Sequence, residues 1–167
     1  MGRLLLPLSM LSLLSIGAIF GFFYAWICST MWGLDALDPK IAIVAMQAMN
    51  ASVRNAVFFP AFFLTPVILA MTAFIAVIQH RRHSAILFAA AATIYVAGAL
   101  LVTAMVNVPM NETLAGVVIP TDSEAARDLW QTYSAPWQFW NTLRTLVSGL
   151  CLILTGLAIY LLNQGKI

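Results

Sequence analysis

A chain of 167 residues, 62% hydrophobic, 8% charged and carrying a net charge of +2, with a mean hydropathy of +0.94, lies far from the roughly 25% charged residues of soluble domains. This balance excludes a water-soluble globular domain, and with no stripe of Lys and Arg it gives no footprint for nucleic acid. Four runs free of ionised side chains, residues 4–34, 55–79, 84–111 and 145–165, take up nearly the whole length, so the expectation is one membrane domain over residues 1–167. Each run exceeds the roughly 20 residues that a helix needs to cross about 30 Å of hydrocarbon. Lipid offers unpaired backbone groups no partner, so the fold class read here is all-α, a four-helix transmembrane bundle in the lipid bilayer.

The first span is expected at residues 7–32. Arg3 precedes an apolar stretch that continues through Trp26 without a small-residue cleavage site, so it reads as a helix and not as a signal peptide. Within it Gly17 and Gly21 stand one turn apart, suited to a close helix contact inside the bundle or in a homo-oligomer. Asp38-Pro39 reads as an N-cap followed by proline at the first helical position. A partly submerged amphipathic helix should then run from residue 39 to about 59. Pro60 and Pro66 should bend or break the chain around the second span, residues 56–79.

The loop His80-Arg81-Arg82-His83 leads to the third span, residues 84–107, which should end where Pro109 biases Val108 away from helix. Thr121-Asp122-Ser123-Glu124 matches a capping box and opens a second amphipathic helix on the outer side. Pro136 should interrupt that helix before the fourth span, residues 137–163. Cys28 and Cys151, with no Cys-x-x-Cys pair, read as small buried hydrophobes. No internal repeat or linker is evident.

Orientation follows from the basic residues. Arg3, the 80–83 loop and Lys166 share one side, whereas all six acids fall on the other. A multi-pass protein of the cell membrane with both termini cytoplasmic is the expectation.

This topology gathers polar side chains at the outer end. Gln47, Asn50 and Arg54 share one helical face before the second span; Trp137, Asn141 and Arg144, with Trp140, share another on the fourth; the third adds Asn107 and Asn111. All five tryptophans map to the same half, which suggests an aromatic-lined pocket beside the reading of simple interfacial anchors. An arginine within a span costs about 2.5 to 3.5 kcal/mol on insertion scales unless it finds partners. For Arg54 and Arg144 these are Glu112, Asp128, helix carbonyls or lipid phosphates on a structural reading, and an anionic or phenolate ligand on a functional one.

His80 and His83 lie on the inner side, no carboxylate-histidine cluster exists, and no glycine-rich phosphate loop is present. The reading is therefore no metal, no haem and no cofactor. If the protein is an enzyme, its substrate must carry much of the reactivity.

The segments Met46-Gln47-Ala48-Met49-Asn50, Asn107-Val108-Pro109-Met110-Asn111 and Trp137-Gln138-Phe139-Trp140-Asn141-Thr142-Leu143-Arg144-Thr145, separated by apolar helices, resemble the anthrone-oxygenase-like family of small four-helix membrane proteins. For its fungal polyketide-pathway members the resemblance implies oxidation of an anthrone by molecular oxygen to an anthraquinone without an added cofactor. By that resemblance Arg144, Asn141, Asn50 and Asn107 would be catalytic, and Gln47, Arg54, Asn111, Glu112, Trp137 and Trp140 would bind a planar aromatic or phenolic ligand. Some members carry histidine where this chain has Asn141, which leaves Glu112 as the candidate base. Two readings thus stand side by side: a cofactor-independent oxygenase with an outer-facing pocket, and a non-catalytic bundle that binds a lipid, quinone or partner subunit through the same pocket or the Gly17/Gly21 face. Four helices without a repeat are a thin basis for a transporter.

Overall fold

The computed structural model describes residues 4–164, without the side chain of Asn163; Arg3 and Lys166, used above for orientation, lie outside the described residues. Among the described residues the fold is all-helical, with four helices long and apolar enough to cross a membrane: α1 (Leu5–Asp35), α3 (Phe58–Ile78), α4 (Arg82–Ala115) and α5 (Ser123–Gln164). Between the first two lies the short amphipathic α2 (Pro39–Ser52).

Each long helix packs against the next in the chain, and α5 closes the ring against α1. Ser12–Thr72 and Ser84–Ala158 each join an early residue of one helix to a late residue of its neighbour, Phe62 at the start of α3 reaches Tyr95 beyond the first turns of α4, and Gly17–Leu152 and Phe23–Asn141 run in opposite senses along α1 and α5, so successive helices run antiparallel. One apolar core, including Ile16, Phe23, Leu69, Phe88 and Tyr95, fills the middle of the bundle. A second, including Met31, Ile43, Met46, Trp130 and Trp137, ties α2 across the end of the bundle away from the 80–83 loop. The candidate site lies between the two.

Proline does less to interrupt these helices than the sequence suggests, and each case has a local reason. Pro60 falls in the first turn of α3, where an N–H would be unpaired anyway; the real break is the turn 53–57 before it. Pro66 lies inside α3, and the carbonyl of Phe62 that it deprives of a donor accepts instead from the Tyr95 hydroxyl at 2.9 Å. The third span does not stop before Pro109. A π-helical turn at Thr103–Asn107 leads directly into Val108–Ala115, with Val108 still helical at φ −63° and ψ −50°.

Pro136 is likewise inside one unbroken 42-residue helix, which corrects the expected interruption before residue 137. Here Tyr133, Ser134, Trp137 and Gln138 are hydrogen-bonded to Asn111 and Asp35 on either side of the proline and hold the helix axis. The N-cap of α5 is Asp122, whose carboxylate accepts from Ala125 N at 2.7 Å, and not Thr121. Asp38 caps α2 as read, accepting from Lys40 N at 2.9 Å ahead of Pro39.

Two smaller expectations change. Cys28 is exposed on α1, whereas Cys151 is buried and donates to the Ala91 carbonyl at 3.3 Å. A Cβ on Gly17 would meet only Leu152 at 3.9 Å, and one on Gly21 nothing within 4 Å. Close helix approach within the chain falls instead at Gly98 and Gly149, where a Cβ would lie 2.8 Å from both Val147 methyls and 3.1 Å from the Phe20 ring.

At Gly98 the β-branched neighbour cannot rotate both methyls away. Gly98→Ala is expected to lower stability by about 1 to 3 kcal/mol, read as the unfolding midpoint in detergent, and Gly98→Ala with Val147→Ala to recover most of it. Equal stability of the single variant and the wild type would show that α4 and α5 are not locked at this point.

Candidate functional site

At the end of the bundle away from the 80–83 loop a cavity of about 350 Å³ opens among α1, the end of α2, the turn after it, α3, α4 and α5. Its walls are mostly aromatic, and its polar lining is Asn50, Arg54, Thr103, Asn107, Asn111, Glu112, Asn141 and Arg144. The apolar helices α4 and α5 thus deliver their scarce polar side chains to one place, joined by Asn50 from α2 and Arg54 from the turn after it.

Arg144 lies at the centre of this arrangement. It is 4% exposed. Its two terminal nitrogens donate to Thr103 Oγ1 and Asn141 Oδ1, both at 3.1 Å. Its guanidinium carbon is 4.6 Å from the centroid of Phe23 and 5.6 Å from that of Trp137. Among the described residues no carboxylate pairs with it, and its Nε has no partner at all. Neutral oxygens and ring faces soften the burial of the charge but do not cancel it.

Asn141 is placed to support the arginine. Its Nδ2 donates to the Phe23 carbonyl at 3.0 Å, which fixes the amide so that Oδ1 faces Arg144. Phe23 stands one residue pair before Ala25, where α1 widens into the π-helical turn Trp26–Thr30; such turns recur at functional sites. Asn107 differs from every other amide here. It is 1% exposed, and neither Oδ1 nor Nδ2 has a hydrogen-bond partner.

A second layer of bonds closes the side towards α2. Asn111 Oδ1 accepts from Tyr133 Oη at 2.8 Å and from Trp137 Nε1 at 3.0 Å, while Asn50 Nδ2 donates to the same Tyr133 oxygen at 3.1 Å. Arg54 and Glu112 form an ion pair at the mouth, each about half exposed.

The site residues expected from sequence divide accordingly. Arg144, Asn141, Asn50, Asn107, Arg54, Asn111, Glu112 and Trp137 all line the cavity. Gln47 does not: its amide donates to the carbonyls of Leu114 and Val117 at 2.8 and 3.3 Å and holds the end of α4 against α2. Trp140 does not either, because it turns away from the cavity and packs edge-on against Phe139. Sequence reasoning passed over Phe23, Thr103 and Tyr133. Thr103 carried a signal, since Thr103, Asn107 and Asn111 recur every four residues in an otherwise apolar run; Phe23 and Tyr133 carried none.

Asp35 forms a separate polar cluster outside this cavity, accepting from Trp130 Nε1, Ser134 Oγ and Gln138 Nε2, each at 2.9 Å. Its carboxylate joins α1 to α5 through these three bonds. No group of three or more His, Cys, Asp or Glu side chains with the geometry of a metal site occurs among the described residues.

A buried cation without a counter-charge should be replaceable at little cost to folding. Arg144→Met is expected to leave thermal stability unchanged or raise it by about 0 to 2 kcal/mol, the gain from removing the charge offsetting the loss of the bonds to Thr103 and Asn141. A fall of more than about 3 kcal/mol would assign the arginine to the fold and not to a ligand.

No curated protein and no solved structure matches the sequence. The sequence pattern of the anthrone oxygenase family does match, over residues 49–154, a stretch that contains the 53–57 turn, the π-helical turns of α4 and every polar cavity residue. With that match spanning more than half of the chain, the protein belongs to the anthrone oxygenase family.

Proposed function

We propose that this protein is an oxygenase-like membrane enzyme that oxidises an anthrone-type phenolic polycycle with molecular oxygen, and that Arg144 and Asn107 bind the substrate's oxygen as negative charge develops on it. One observation carries this reading. Among the described residues the buried side-chain atoms without a hydrogen-bond partner are Asn107 Nδ2, Asn107 Oδ1 and Arg144 Nε, and both residues line the same cavity. Unsatisfied buried polar atoms are costly, about 1 to 3 kcal/mol each and more when charged, so their concentration at one aromatic-walled cavity points to a ligand that satisfies them.

The chemistry balances without an external reductant. Glu112, which lines the mouth, takes a proton from the methylene carbon, and the charge left behind spreads over the rings to the carbonyl oxygen. Donors from Arg144 and Asn107 beside that oxygen would stabilise the anion more than the neutral ketone, which is the condition for catalysis. The anion passes one electron to oxygen, and the resulting radical pair couples to form a carbon–oxygen bond. The peroxide takes back a proton; loss of the second methylene proton then breaks the O–O bond and leaves a ketone and hydroxide, protonated to water. Anthrone and one O2 thus give anthraquinone and one water, all electrons coming from the substrate carbon. Asn107 Oδ1 is suited to accept from a phenol hydroxyl beside that carbonyl, and Trp137 and Phe23 to cover the ring faces.

The test is aerobic conversion of anthrone by purified, metal-stripped protein, following oxygen uptake and anthraquinone together. Wild-type protein should turn over with one O2 consumed per product, and Asn107→Leu and Arg144→Gln should each lose about 10²- to 10³-fold in kcat/KM at unchanged thermal stability. Identical background rates in all three would point to a bundle that binds its ligand without reacting.

A further inference from the structure

We infer that the ligand of this cavity reaches it sideways from the bilayer, between α1 and α3, and not from the aqueous side past Arg54 and Glu112. The inference rests on the reading of the cavity as a ligand site and specifies the substrate class: a molecule dissolved in the membrane, carrying its polar edge on one side only.

The observation is a second recess of about 420 Å³ on the outer flank of the bundle, reaching from Ala18 and Ala61 to the 53–57 turn. Phe22, Trp26, Met49, Val53 and Phe58 line both it and the cavity. The two spaces therefore share one partition, formed by these five residues. The central pair of that partition is Phe22 and Phe58, with ring centroids 4.7 Å apart. Phe22 is only partly buried on α1, and Phe58 begins α3 directly after the turn. A partition of side chains at a helix start opens by rotamer change, whereas two other seams of the bundle, α4–α5 and α5–α1, are closed by contact between helices. At α4 and α5 a Cβ on Gly98 would lie 2.8 Å from Val147, and at α5 and α1 one on Gly149 would lie 3.1 Å from Phe20.

The chemistry of the recess agrees. Its only polar side chains are Ser52 and Asn55, and both are engaged with backbone. Ser52 Oγ donates to the Met49 carbonyl; Asn55 Oδ1 accepts from Val57 N and Phe58 N, and its Nδ2 donates to the Ser52 carbonyl. Nothing in the recess holds a polar group in passage, while free donors wait beyond the aromatic partition. An apolar ring edge fits the way in, and the oxygen-bearing edge fits Arg144 and Asn107. The opposite, water-facing mouth is bridged by the Arg54–Glu112 ion pair and suits the exchange of protons and water.

The experiment measures anthrone binding without oxygen, in lipid nanodiscs, by quenching of tryptophan fluorescence, since Trp26 and Trp137 line the cavity. Ala18→Phe and, separately, Ala61→Leu fill the recess without touching the cavity. Each is expected to slow association and dissociation by a common factor of about ten while leaving the equilibrium affinity within about twofold. Leu146→Phe, on the lipid-facing side of α5 at 68% exposed, is the control and should change neither rate. Wild-type rates in both filled variants would overturn the lateral route and leave the cavity's role standing. Absence of anthrone binding by the wild type would overturn both.

Discussion

The guanidinium of Arg144 is the constraint around which the cavity end of the molecule is arranged. A permanent positive charge at this depth needs compensation, and the chain supplies it with neutral groups from three helices: Thr103 on α4, Asn141 on α5 itself and the rings of Phe23 and Trp137. A carboxylate within reach would have been the stronger partner. It would also have quenched the charge, whereas Glu112, on the same wall, is paired with Arg54. Separating one closed ion pair from one open cation keeps an anion-seeking group available inside an apolar cavity.

Bringing α4 to this cation required a departure from regular helix geometry. Ala91, Tyr95, Ala99, Thr103, Asn107 and Asn111 follow one another at intervals of four residues, and all are buried or half-buried. A regular α-helix of about 3.6 residues per turn would carry such a row steadily around its axis. The π-helical turns Val96–Leu100 and Thr103–Asn107 each take up an extra residue and bring the row back towards the interior. Thr103 and Asn107 consequently share a cavity wall with Arg144. The π-helical turn of α1 at Trp26–Thr30 lies beside the same cavity, so the irregular backbone of the bundle is concentrated where its polar chemistry is.

Much of this was legible in the sequence because the bilayer makes a polar residue conspicuous. Four apolar runs imply four helices by the cost of unpaired backbone in lipid, and Arg144, Asn141, Asn107 and Asn50 stand out against them for the same reason. The prolines misled because their effect depends on what replaces the missing donor. Tyr95 serves the carbonyl freed by Pro66, and Pro136 lies between residues anchored to Asp35 and Asn111, neither of which is local information. Tyr133 and Phe23 stayed hidden because an aromatic side chain in an apolar helix looks like core until its cross-helix partners are known. Gln47 and Trp140 were the converse, sharing a helical face with site residues while their side chains satisfy other neighbours.

The two mouths of the cavity and its unpaired polar atoms follow one logic. With leucine at Asn107 and methionine at Arg144 the bundle would have had a more apolar centre, without a buried charge and without the unpaired atoms of these two side chains. Keeping both groups buried and open costs stability in the empty protein, and that cost is recovered only when a ligand supplies acceptors for them. The ligand must then be apolar enough to enter between lipid-facing helices and polar enough at one edge to complete the hydrogen bonds. A fused aromatic ketone with a phenol hydroxyl beside its carbonyl meets both demands. Molecular oxygen, itself apolar, meets such a molecule most readily in the same medium. The membrane is thus as much a part of the proposed chemistry as the side chains, because it concentrates both reactants on the side of the cavity that carries no charge.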